Sequence, residues 1–131
     1  MESFNETYRQ RSFDFAVHIV QYAIKLRKEG LPYDLFSQLL RAGTSFPANF
    51  RAATQARSDA EYYAKLCIVV EECDETVFWL DLFEKSSLVK TDDTFFNMRN
   101  EANEMVKVFS KVKGNVGKRI GNSYSLKNPE S

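Results

Sequence analysis

Glycine and proline are scarce in this chain, with 5 Gly and 3 Pro among 131 residues. Few positions therefore force regular structure to stop. Cysteine is nearly missing as well, present only as Cys67 and Cys73. Six positions apart in one helix, their Cα atoms lie about 9 Å apart, beyond the roughly 7 Å reach of a disulfide. Buried free thiols in a reducing compartment are the expectation. A single histidine leaves a Cys/His metal site without ligands, so no metal and no other cofactor is expected. Long apolar runs are also lacking: stretches such as Ile68-Val69-Val70 fall far short of the roughly 18 residues of a membrane span. The opening Met1-Glu2-Ser3-Phe4-Asn5-Glu6 has no apolar core, so no secretory signal is read and the cytoplasm is expected. No excess of one charge exists either, since 18 Lys/Arg balance 18 Asp/Glu.

What remains is an ordinary globular balance, 44% hydrophobic and 27% charged. The length suits one domain with its own core and is too short for two. The charges, though even in number, are unevenly placed. Residues 1–58 carry eight Lys/Arg against five Asp/Glu, and residues 59–93 carry three against ten. Residues 105–131 carry six against one. An acidic middle and a basic tail can thus act as separate surfaces.

Periodicity predicts four helices. The first spans about Arg11 to Glu29, where Asp14, His18, Gln21, Lys25 and Lys28 form one narrow polar stripe. Apolar residues flank it on both sides: Phe13, Ala16, Val17, Val20 and Ile24 on one, Phe15, Ile19, Tyr22 and Leu26 on the other. One bundle core needs only one such face. The second helix spans about Tyr33 to Arg57, with a bulky stripe beside a stripe of small residues. Pro47 inside it predicts a kink; a full break capped by Thr44 or Ser45 is the alternative. The third begins at a capping box, Ser58-Asp59-Ala60-Glu61, and runs to about Lys85. Thr91 is expected to cap the fourth, whose inward residues Phe95, Met98, Ala102, Met105, Phe109, Val112 and Val116 alternate steps of three and four. Gly114, Gly117 and Gly121 weaken helix there, so residues 1–121 form the domain and 122–131 a loose tail. The fold class is all-α: an antiparallel up-down-up-down four-helix bundle.

Two segments carry a resemblance. Leu39-Leu40-Arg41-Ala42-Gly43-Thr44-Ser45, with Ala48-Asn49, resembles the "LLRA-x-TS-x-x-AN" signature of a four-helix bundle family. That family was first noticed in intervening sequences of bacterial ribosomal RNA genes. Glu72, Glu75-Thr76 and Trp79-Leu80 are similar to its "E-x-x-ET-x-x-WL" segment, and the likeness covers roughly residues 8–115. Ala52 stands where the family often has Glu, and Pro47 where a small or aliphatic residue is common. Relatives include the accessory variability determinant of diversity-generating retroelements, a basic pentamer that engages nucleic acid. The resemblance thus implies a bacterial protein forming a homopentameric ring.

The signature also has a physical reading. Arg41 is placed to pair with Glu72 or Glu75 across antiparallel neighbours. Ser45 and Asn49, one turn apart, are placed to satisfy carbonyls freed by Pro47. A polar network that fixes helix register is the plainer role; a site that reads a partner is the other. For catalysis the sequence offers little. The residue three before His18 is Phe15, not the Glu of a di-iron bundle. The glycines at 114, 117 and 121 follow no strand and cradle no phosphate. The acids from Glu71 to Glu75 fit a solvated face. A non-enzymatic oligomeric interaction or scaffold module is therefore expected. Its interface is assigned to Phe15, Ile19, Tyr22 and Leu26, the face of the first helix left over from the core. If residues up to Gln10 fold back over that face, a monomer results instead. Nucleic-acid binding is the rival, through Arg9, Arg11, Lys107, Lys111, Lys113, Lys118 and Arg119, with Tyr124 available for stacking.

Overall fold

The computed structural model describes residues 3–127, with side chains through Tyr124. Four helices follow one another: α1 (Phe4–Lys28), α2 (Tyr33–Ala53), α3 (Asp59–Lys85) and α4 (Asp93–Lys127). Consecutive helices pack side by side, α4 closes back onto α1 through the sparsest seam, and α1 and α3 lie diagonally apart. This is the antiparallel four-helix bundle that the periodicity predicts.

Helix ends explain most departures from the expected boundaries. α1 starts at Phe4 rather than near Arg11, because the Ser3 hydroxyl accepts the Glu6 amide at 3.1 Å. Its extra turns are held by Phe4 and Tyr8, which stack with centroids 4.7 Å apart and reach Phe50 and Phe109. α2 ends at Ala53, earlier than the expected Arg57. For α3 the Ser58 half of the capping box forms, Ser58 Oγ accepting from the Glu61 amide at 3.1 Å. For α4 the cap is Asp92 and not Thr91: its Oδ1 accepts the Phe95 amide at 3.0 Å. The C-terminal ends of α1 and α3 close the same way. Leu31 N–H bonds Leu26 C=O, and Leu88 N–H bonds Phe83 C=O, each at 3.0 Å. Gly30 and Ser87 supply the positive φ this closure requires, 91° and 55°.

The boundary of the expected tail is also corrected. α4 continues through all three of its glycines to Lys127, so residues 122–127 are helical; 128–131 lie outside the described residues. Buried Val116 and partly buried Ile120 hold α4 on the core past Gly114 and Gly117, and residues 121–124 beyond them are exposed. At Gly117 an added Cβ would come within 3.1 Å of Tyr63 Cε2, so the glycine there admits a ring from α3.

Aromatic rings dominate the core. Phe46, Phe50 and Phe109 are wholly buried, and the Phe50–Phe109 centroids lie 4.8 Å apart. Burial of such side chains supplies about 2–3 kcal/mol each before entropy is counted. Among the described residues no helix is long and apolar enough to cross a membrane.

Candidate functional site

The two signature segments meet each other. Arg41 on α2 bridges Glu72 at 3.0 Å and also bonds Glu75, both on α3. Gln38 Oε1 accepts from Arg41 Nε at 3.2 Å, and Trp79 Nε1 donates to Glu75 Oε1 at 3.4 Å. Thr76, wholly buried, returns its hydroxyl to the Glu72 carbonyl at 2.9 Å. The Arg41 hydrogen bond holds the Glu75 carboxyl below the ordinary glutamate value, whereas desolvation raises that of Glu72. Every charged group in this cluster thus has a partner within the chain. Its geometry is that of a brace across the α2–α3 seam.

Ser45 and Asn49 behave differently from expectation. Asn49 Nδ2 donates to the Ser45 carbonyl at 2.9 Å and to Ser45 Oγ at 3.2 Å. The carbonyl that loses its donor to Pro47 belongs to Gly43, so this pair serves another carbonyl. α2 runs unbroken through Pro47. At the variable position of the signature this chain has Gly43, where an added Cβ would lie 2.9 Å from Ile19 Cγ1. The glycine lets α1 and α2 approach closely.

The two apolar faces of α1 exchange the roles assigned to them. Phe15, Ile19, Tyr22 and Leu26 are at most 4% exposed and belong to the core of the single chain. They offer nothing to a second subunit. The outward stripe is instead Phe13, Val17, Val20 and Ile24, between 38% and 53% exposed. Both faces are almost equally apolar, so periodicity alone does not distinguish them. What decides is the position of α2, whose Gly43 leaves room for the Ile19 side chain. The exposed stripe continues into clefts on the α1–α2 seam. One of about 530 Å³ is lined by Phe13, Ala16, Pro47 and Ala48 with Arg9 and Arg51 at its rim. A second, also about 530 Å³, is lined by Val20, Ile24, Tyr33 and Leu40 with Arg27.

The candidate nucleic-acid cations divide. Arg11 bonds Glu101 and Tyr8 and lies 3.1 Å from Glu104, so it pins α1 to α4. Arg119 makes a two-pronged pair with Asp59 at 2.8 and 2.9 Å. Neither is a spare cation. Arg9, Lys107, Lys111, Lys113 and Lys118 have no carboxylate partner among the described residues. At 100° per residue, Lys107, Lys111 and Lys118 fall within about 40° of one another on the outer side of α4. The fold also sorts charge by end, which sequence position hides. The start of α1, the end of α2, the start of α3 and the end of α4 share one end, tied by Tyr8–Phe109, Phe4–Phe50 and Arg119–Asp59. Residues 3–14, 47–66 and 105–127 there carry eleven Lys/Arg against four Asp/Glu; the other described residues carry seven against twelve.

These features define a class: an all-α bundle with a signature arginine clamped between two glutamates and an apolar stripe left on its outside. A family model described as 23S rRNA-intervening sequence protein matches residues 5–111. The chain belongs to that family. A crystal structure of a protein with unknown function from the S23 ribosomal protein family of Bacteroides thetaiotaomicron is similar to it. That protein is 33% identical, with a TM-score of 0.74 over 80% of this chain and 96% of the other. No curated protein matches. None of these descriptions names a reaction.

Proposed function

We propose that this protein is a non-catalytic, self-assembling interaction module of the cytoplasm. The observation that carries this reading is the outward stripe of α1. Phe13, Val17, Val20 and Ile24 expose 53%, 38%, 42% and 50% of their surfaces. Four large apolar side chains in one row, continuous with two clefts, exceed what a solvated bundle leaves outside. A second copy covering them removes that surface from water, at about 25 cal/mol per Å². The resemblance implies five copies in a closed ring. Light scattering tests the reading: an assembled particle is expected, and a mass of 15.1 kDa, that of one chain, overturns it.

A second reading rests on the sorting of charge. The basic end, with Lys107, Lys111 and Lys118 in one row, suits the phosphate backbone of RNA. In a ring the row is repeated in every copy, which multiplies weak interactions. Titration of a single-stranded RNA at low salt tests it, and undetectable affinity there removes it.

A further inference from the structure

The stripe on α1 has a counterpart elsewhere on the molecule. α3 also leaves apolar side chains outside: Ile68, Phe78 and Leu82 are 39%, 54% and 43% exposed. Ile68, Glu71, Glu75, Phe78 and Leu82 fall in alternating steps of three and four, as do Phe13, Val17, Val20 and Ile24. Apolar residues at that spacing form the seam of one helix packed nearly parallel against another. In the α3 row Glu71 and Glu75 take two of the five positions, and Glu75 is already held by Arg41. The rows run about 16 and 21 Å along their axes at 1.5 Å per residue.

Charge distinguishes the two rows. The α1 row is rimmed by Arg9, Arg27 and Arg51, none with a carboxylate partner among the described residues. The α3 row includes Glu71 and is flanked by Asp74, both exposed and equally without a cation. Pairing α1 with α1 would set arginines against arginines, and pairing α3 with α3 would set acids against acids. Like charges brought together across an interface disfavour both arrangements. α1 against α3 matches apolar to apolar and basic to acidic.

We infer that the α1 row of one copy docks on the α3 row of the next, a head-to-tail contact. The inference rests on the self-assembly reading and names the partner surface. α1 and α3 are diagonal in the bundle, so one copy engages a neighbour through each at the same time. Interfaces of this heterologous kind extend into a ring when the rotation closes. A symmetric dimer uses only one of the two rows.

Two variants test it, Val20→Asp and Phe78→Asp, each at an exposed position so that the core is untouched. Each alone keeps its helical circular dichroism and falls to the mass of one chain. Mixed in equal amounts at high concentration, they recover one complete interface and form a particle of two chains and no larger. Wild-type assembly that survives in Phe78→Asp while Val20→Asp is monomeric overturns the α3 surface and leaves self-assembly standing. A mixture that stays monomeric also overturns the pairing. A monomeric wild type sinks the self-assembly reading itself. Should Val20→Asp unfold, Ile24→Asp on the same row replaces it.

Discussion

Gly43 and Gly114 occupy helix interiors, yet alanine at the two should act in opposite directions. At either site alanine gains about 1 kcal/mol of helix propensity. At Gly114 the added methyl meets nothing within 4 Å, so the gain is kept. At Gly43 it meets three carbons of Ile19, at 2.9, 3.0 and 3.2 Å. Ile19 is buried and β-branched, hence stiff, and overpacking of this kind costs about 1–3 kcal/mol. Gly43→Ala should therefore be destabilised by about 1 kcal/mol net while Gly114→Ala is stabilised by up to that much. Urea unfolding of both variants checks the difference in sign. Tyr22 offers a complementary case. Its ring is 4% exposed and its hydroxyl has no hydrogen-bond partner among the described residues. Burial pushes that phenol above its ordinary pKa, a mark of the same desolvation. Tyr22→Phe removes the stranded hydroxyl and should stabilise by about 1 kcal/mol. A melting temperature lower than wild type would show that the hydroxyl is satisfied.

At the scale of the helix, ends matter more than interiors. Asp92 caps α4 and also receives Lys25 Nζ at 3.2 Å, tying α4 to α1. The Phe95 amide first, then Lys25, hold its carboxyl below the ordinary aspartate value. A depressed carboxyl contributes stability that is full above the unfolded pKa, near 4, and is lost as pH falls through the folded one. Asp59 beside Arg119 acts in the same direction, whereas Glu72, raised by desolvation, opposes both. Stability should thus fall below about pH 4, and Asp92→Asn should flatten that acid limb while lowering stability at pH 7. Equal acid sensitivity in wild type and variant would refute the role given to Asp92. Helix number and order, and the inward faces of α2 and α4, were legible in the sequence from their three- and four-residue periodicity, whereas α3 carries apolar residues outside as well, at Ile68, Phe78 and Leu82. The inward face of α1 was not legible, because apolar residues surround its polar stripe on both sides and only packing against Gly43 selects Ile19. The length of α4 was also hidden, since Gly114 and Gly117 signal an end that Val116 and Ile120, packed on the core, override. The Arg41–Glu72–Glu75 brace could be read from residue types alone; the neutralisation of Arg11 by Glu101, 90 positions away, could not.

Charge separation belongs to the molecule as a whole. The chain is neutral, which by itself argues against a polyanion partner, but folding gathers eleven of its cations at one end. A field of this kind acts over about 8 Å at physiological salt, so the local surface matters more than the sum. If single-stranded RNA engages this end, the lysines that meet phosphate are those with no carboxylate of their own. Replacing Lys107, Lys111 and Lys118 together by Gln should then weaken binding for every sequence alike. It should also reduce the slope of log affinity against log salt by about 2, at roughly 0.7 for each phosphate no longer neutralised. Arg119→Gln should change that slope little, because Asp59 already neutralises Arg119. Fluorescence anisotropy across a salt series compares the wild type, the triple replacement and Arg119→Gln on the same RNA. A slope unchanged by the triple replacement, or lowered equally by Arg119→Gln, would show that the row on α4 is a solvated face and nothing more.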